Sequence, residues 1–265
     1  MKLLNLWTKQ YGINMTKKNF SRYRKLTLTI ITLTLGSISY PTLADKIDFS
    51  LGYYVGQNQY TANQDKNVHA LSFSSTYKFN KQQVKLSSSY NRLKQDNNAQ
   101  NNKNSGLGDT LIAYKRIYNL KKNKQLIEIQ SKIKLATADE KKGLGTGKTD
   151  YELASTFFHR INQNWIFAKA AHKWRGSSNK YAMNNSLSGA IGLSLRHSST
   201  LTYGSLLEYH QASAETNFDR KEIMIYLSHK SSAKLKFTTY LVRGFSAKQS
   251  KWAGGIQLTH SLSLD

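Results

Sequence analysis

Cysteine is absent from the sequence, proline occurs once, and Asp and Glu together number 15 against 39 Lys and Arg. Without cysteine there is no disulfide framework and no thiolate metal site, so stability must come from backbone pairing and burial. The one proline, Pro41, lies near the N terminus, and the turn prolines of a compact soluble sandwich are missing after it. Helical periodicity is scarce as well: from Asp45 onward hardly any stretch repeats apolar residues at 3.6-residue spacing. A formal net charge of +24 raises nucleic-acid binding as a first reading. The lysines, however, are spread along the chain rather than gathered on one helix, and the N terminus reads as an export signal, so no nucleic-acid partner is expected.

That signal occupies residues 1–44. Lys17, Lys18, Arg22, Arg24 and Lys25 precede the apolar and threonine-rich run "LTLTIITLTLGSIS", and no acid occurs before Asp45. Small Ala44, with Thr42 two places earlier, forms an acceptable cleavage site. The run is shorter than the roughly 20 residues that a spanning helix needs. The expected mature protein is therefore residues 45–265.

What fills that span is alternation. In "KIDFSLGYYVG" Ile47, Phe49, Leu51, Tyr53 and Val55 alternate with Asp48, Ser50, Gly52 and Tyr54. "QLIEIQSKIKLAT", "SLSGAIGLSLRH" and "WAGGIQLTHSLSL" repeat the pattern. Twelve such segments are read at 46–56, 67–79, 82–94, 107–119, 124–137, 149–161, 164–175, 185–197, 199–212, 219–230, 233–244 and 251–264. Short links near Asn80, 120–123, Asn162–Gln163, Ser198 and 231–232 alternate with long ones at 57–66, 95–106, 138–148, 176–184 and 213–218 and a shorter one at 245–250. An even number of strands with alternating link lengths is the signature of an outer-membrane barrel, and closure satisfies every edge in lipid. The expected fold is all-β, a transmembrane antiparallel up-and-down barrel of about 12 strands. Tyr53, Tyr77, Phe79, Tyr114, Tyr118, Phe157, Trp165, Trp174 and Trp252 are read as its two aromatic girdles.

The stretch "KKGLGTGKTDY" at 141–151 imitates the end of a phosphate-cradling loop. Such a loop needs a glycine five places before the last one and a helix after it; here Lys142 stands at that place and a strand pattern follows. It is read instead with "SGLGDTLIAYKRIY" at 105–118 as a glycine-rich rim: Gly106, Gly108 and Asp109 in one motif, Gly143, Gly145, Gly147, Lys148 and Asp150 in the other. Glycines there supply positive φ or close backbone approach at a bulge or bend. The two aspartates are expected to accept backbone N–H bonds or to pair with Lys148 or Arg175.

Together with "HKWRGS" at 172–177, "EYHQASA" at 208–214 and "VRGFSAKQSKWAGGIQLTHSL" at 242–262, these two motifs resemble, in order, the proteobacterial outer-membrane family named for the meta-pathway of phenol degradation. The resemblance spans nearly all of residues 45–265 and implies an outer-membrane channel or transporter for small aromatic or hydrophobic compounds. One departure is the end of the chain: barrels of this kind usually finish on an aromatic residue read by the insertion machinery, and here Leu262, Leu264 and Asp265 stand last.

The inward faces then define candidate pore-lining residues: Glu128, Gln130, Lys132, Lys134, Glu152, Arg196, Glu208, His210, Lys234 and Lys236. Lys132 and Lys134 are expected to oppose Lys234 and Lys236 across the ring. A narrow pore with this excess of Lys favours anionic or neutral solutes over cations. Loop lysines are alternatively expected to bridge lipopolysaccharide phosphates. Seven histidines invite a hydrolase reading, with Ser261 beside His260, but alternation sends those two side chains to opposite faces. Glu208 and His210 are too few for a metal site. No enzyme, cofactor or metal is expected; a barrel without transport activity is the remaining alternative.

Overall fold

The computed structural model describes residues 45–61, 64–97, 100–121, 124–177, 182–214, 219–246 and 250–264. The proposed signal segment 1–44 lies outside them. The described residues are all strand and connection: β1 Asp45–Thr61, β2 Gln64–Phe79, β3 Gln82–Asn97, β4 Gln100–Leu107, β5 Thr110–Lys121, β6 Gln125–Leu135, β7 Asp150–Ile161, β8 Asn164–Trp174, β9 Ser186–Arg196, β10 Leu201–His210, β11 Arg220–Lys230, β12 Leu235–Gly244 and β13 Ser250–Leu264.

Each strand pairs antiparallel with its sequence neighbour, and β13 returns to β1, so the sheet closes on itself. β4 and β5 both pair with β3, the first opposite Tyr90–Asn97 and the second opposite Gln82–Ser87. They are two halves of one stave, and the barrel has twelve. Within the closed ring both edges of every stave are paired, which is the condition for β-structure in lipid, while β4, which extends beyond it, pairs with β3 alone.

Alternation sorts the side chains. Phe49, Leu51, Phe73, Leu86, Ile191 and Leu241 all point outward and are exposed, whereas their sequence neighbours turn into the barrel. Aromatic rings anchor to polar groups at both ends of the wall: the Tyr77 hydroxyl donates to Asp45 at 2.6 Å, Tyr209 to Asp219 at 2.6 Å, and Trp252 Nε1 to Gln57 at 3.2 Å. Trp165 does not belong to the girdles. It is buried inside the barrel, edge-on to Phe158 with ring centroids 6.4 Å apart, while Ile166 takes the lipid side. Because the two faces differ in solvent, Ile191→Arg is expected to destabilise the inserted barrel by about 2–4 kcal/mol, whereas Ser188→Arg, facing the lumen, is expected to change it by less than about 1 kcal/mol. Denaturant unfolding in vesicles, followed by gel mobility, measures both.

Two connections read as long loops are mostly strand. β1 and β2 pair as far as Thr61 and Gln64, and β3 and β4 as far as Asn97 and Gln100. Their sequences, polar on both faces, carry no alternation, because a hairpin standing clear of the apolar band has no lipid side to mark. At the opposite end the links are tight: Asn80 and Lys81, both at positive φ (42° and 64°), join Phe79 to Gln82, the backbone twist that suits a two-residue hairpin. The two ends of the wall are called below the loop end and the short-turn end; β1 begins and β13 finishes at the latter.

Candidate functional site

Inside the barrel the wall is neither uniformly polar nor uniformly charged. Following the hydrogen-bonded register from stave to stave, Leu126 lies opposite Phe158, Phe158 opposite Phe167, Phe167 opposite Gly192, and Gly192 opposite Leu206. The same row continues through Met224, Val242, Ala253, Gly56, Val68 and Leu93. Eleven of the twelve staves thus contribute an apolar side chain or a glycine. Strand tilt makes the row a spiral: it starts beside the short turn before β6 and ends near the loop end of β3. Phe167, Leu206, Met224, Val242 and Ala253 pack together as one buried cluster, with Tyr54, Phe158 and Tyr240 against it.

The connection from β6 to β7, residues 136–149, folds into the lumen at the top of this row. Its Ala138 and Leu144 are buried against Val68 and Leu93. The loop is held by the break between β4 and β5. There two residues of β3, Ser88 and Ser89, face the three residues Gly108, Asp109 and Thr110, which is a bulge. Gly108 N–H donates to Ser89 O at 2.7 Å. Thr137 Oγ1 accepts the Thr110 N–H at 2.8 Å, and Asp109 Oδ1 accepts the Ala138 N–H at 3.1 Å. Gly145 lies so close that a Cβ there would stand 2.7 Å from Asp109 Oδ1, and Gly147 takes a φ of 63°. Gly143 lies at the loop's turn, and Gly106 faces Leu144.

Lys134 is the hub of the lock. Its ammonium is 2.8 Å from Thr146 Oγ1, 3.2 Å from Asp109 Oδ2 and 3.3 Å from Asp150 Oδ2. Asp150 also accepts the Gly176 N–H at 3.2 Å and lies 3.4 Å from Lys173 and 3.8 Å from Arg175. The two glycine motifs, 34 or more residues apart in sequence, are therefore joined through one buried lysine. The aspartates pair with Lys134 and Arg175; Lys148 is exposed and is not their partner.

The remaining candidates separate into wall and rim. Glu128 pairs with Lys115 at 2.9 Å and Lys132 with Glu152 at 2.9 Å, and Gln130 is buried between them. His210 Nε2 lies 3.9 Å from Glu208. Lys236 faces the lumen near the short-turn end. Arg196 is exposed at the short-turn end with its Nε donating to Ser198 O, and Lys234 sits in the exposed turn before β12; neither lines the wall. Lys134 and Lys236 do stand on opposite staves, but Lys134 is next to the last residue of β6 at the loop end, so they are not level. Ser261 turns inward to donate to Asp48 at 2.6 Å while His260 is exposed outside, so these two form no nucleophile–base pair.

Sequence reasoning missed Lys85, Lys115, Lys169 and Lys173, all inward. "VKLSSSY" carried the signal for Lys85, since Val84 and Leu86 flank it on the lipid face. It missed the apolar row entirely, because an apolar residue on the inner face looks like one on the outer face until the phase of each strand is fixed.

No protein-family model and no curated protein matches the sequence. Solved structures do resemble it. An outer membrane channel from Pseudomonas putida F1 superposes with a TM-score of 0.71 at 10% identity, covering 86% of this chain and 98% of that one. The translocator domain of the autotransporter NalP from Neisseria meningitidis gives 0.52 at 9% identity over 84% and 90%. The NanC porin gives 0.51 at 10% identity over 82% and 100%. At these identities, and with a channel, a translocator and a porin all represented, what the likenesses establish is the fold: a closed antiparallel barrel of the kind that crosses outer membranes.

Proposed function

We propose that this chain is a passive outer-membrane channel of a Gram-negative bacterium, that it belongs to the family named for the meta-pathway of phenol degradation, and that it admits small apolar or aromatic compounds. The observation that carries this reading is the continuous apolar row through the lumen, from Leu126 to Leu93. Much of the row is packed into a buried cluster and so also stabilises the wall; a wholly polar lumen would offer an apolar solute no contact, whereas a ring moving along this row exchanges water for contact wherever it meets it. The order of the glycine motifs supports the family. The exposed loop lysines Lys141, Lys142 and Lys148 suit lipopolysaccharide phosphates, and the barrel-insertion machinery would place the chain in the membrane.

Because apolar solutes cross simple bilayers unaided, the test belongs in cells with a lipopolysaccharide leaflet. Expression is expected to raise the initial uptake rate of the dye N-phenylnaphthylamine several-fold over cells carrying an empty vector. No increase in that rate, together with no solute passage in reconstituted vesicles, would leave the structural barrel as the better reading.

A further inference from the structure

Besides Lys134, five lysines point into the lumen on β2, β3, β5, β6 and β12: Lys78, Lys85, Lys115, Lys132 and Lys236. The register places Lys85 at the centre of the first four. It lies opposite Thr76 and Ala113, and Ala113 lies opposite Lys132. Gln83, two residues away on the same face, lies opposite both Lys78 and Lys115, so those two are diagonal neighbours of Lys85 at about 7–8 Å or less. Ala113 is too short to separate Lys85 from Lys132.

Three of the five have carboxylates of their own: Lys78 with Asp48 at 2.6 Å, Lys115 with Glu128 at 2.9 Å, and Lys132 with Glu152 at 2.9 Å. Among the described residues no carboxylate lies within ion-pair distance of Lys85 or Lys236. The charges that act most on Lys85 are Lys115, Lys132, Lys236 and Lys78, all of its own sign. Lys236 feels Lys78 and Asp48, and Asp48 is already engaged by Lys78 and the Ser261 hydroxyl. Two half-buried cations are left without a counter-charge inside a narrow wall, an arrangement that costs stability until an anion enters.

The surroundings say which kind of anion. On β12 the inward residues run Lys236, Thr238, Tyr240 and Val242, so the lysine is about 13 Å along the strand from the tyrosine that opens the apolar cluster. The wall between carries hydroxyls, Ser228 with Thr238 and Ser50 with Thr259, rather than charge. A charged head and an apolar body are accommodated within one ligand's length. The heads are ammonium groups, point charges that set no orientation, which leaves orientation to the body.

We propose that the short-turn end of the lumen holds a binding site for small organic carboxylates, with the head between Lys85 and Lys236 and the apolar body toward Tyr240. The site rests on the reading of the lumen as water-connected, but not on passage through it.

The test is calorimetric titration of the whole barrel in nanodiscs with sodium benzoate, benzamide, acetate and chloride. Benzoate is expected to bind roughly tenfold or more tightly than each of the others, because benzamide lacks the charge and acetate and chloride lack the body. Lys85→Met with Lys236→Met is expected to weaken benzoate by roughly tenfold or more, and Lys85→Arg with Lys236→Arg to retain it. Benzamide binding as tightly as benzoate would reduce the site to the apolar lumen. Acetate or chloride binding as tightly would reduce it to a counter-ion. Unchanged benzoate affinity in a heat-modifiable Met variant would put the ligand elsewhere. If that variant does not fold, the four-ligand comparison on the unaltered protein decides alone. Titration needs no transport, so a barrel that binds benzoate and passes nothing would sink the channel reading and keep the site.

Discussion

Lys134→Met is expected to free the 136–149 loop from the lumen. Lys134 is buried, and its ammonium is shared by Asp109, Asp150 and Thr146. Removing it leaves the two carboxylates in one low-dielectric pocket; Asp150 retains Lys173 and Arg175, while Asp109 retains only the Ala138 N–H among the bonds described. Breaking a buried charge network from one side costs about 3–5 kcal/mol. The barrel itself is held by a closed ladder of backbone bonds, so the inexpensive response is withdrawal of the loop, whose Asp139, Lys141 and Lys142 are exposed already and which takes only Ala138 and Leu144 out of apolar contact. The absence of cysteine makes this directly measurable. A single Leu144→Cys is expected to react with a maleimide at least about tenfold faster in the Lys134→Met background than alone, since each tenfold corresponds to about 1.4 kcal/mol of opening free energy. Single-channel conductance is expected to rise in parallel. Equal labelling rates with unchanged conductance would mean that the bulge and Leu144 hold the loop without the lysine.

Met224→Lys is expected to abolish most apolar uptake while leaving ionic conductance intact. Met224 is 1% exposed and stands midway along the apolar row, between Leu206 and Val242. Met224 itself is packed away, so the effect of the substitution comes from the ammonium it extends into the lumen: a ring passing it loses contact with the neighbouring apolar wall, and about 60 Å² of that contact at roughly 25 cal/mol per Å² is about 1.5 kcal/mol, or about tenfold in rate. The ammonium can extend along the lumen toward water, so the barrel tolerates it better than a charge on the lipid side. Met224→Leu, which keeps the volume and the polarity, is expected to stay within about twofold of the unaltered protein. Dye uptake in cells and conductance in planar bilayers give the two readings. If both fall together in Met224→Lys, the row is packing and not a path.

The particular residues show where sequence reading stops. Alternation assigned Glu128, Gln130, Lys132 and Lys134 to the inside because all four are polar on one strand with isoleucines opposite them. On β8 the same rule failed: Trp165 and Phe167 are as apolar as Ile166, and only the pairing of Asn164 with Ile161 decides which of them face lipid. The glycine motifs read as a rim from their letters, but the second lies on a loop folded into the lumen, and nothing local indicates that Asp109 and Asp150 meet at Lys134 or that Leu144 turns inward to Leu93.

What the sequence determined by itself is the all-strand character, the closed even-numbered wall and the inward polar faces of β1 and β6. Those depend on period-two patterning and turn chemistry, which are properties of neighbouring residues along the chain. Tertiary structure alone decided the apolar spiral, the inward loop and the uncompensated pair Lys85 and Lys236. Each depends on the register between staves and on the tilt that closes the ring, so residues 150 or more positions apart become neighbours only when the barrel is complete.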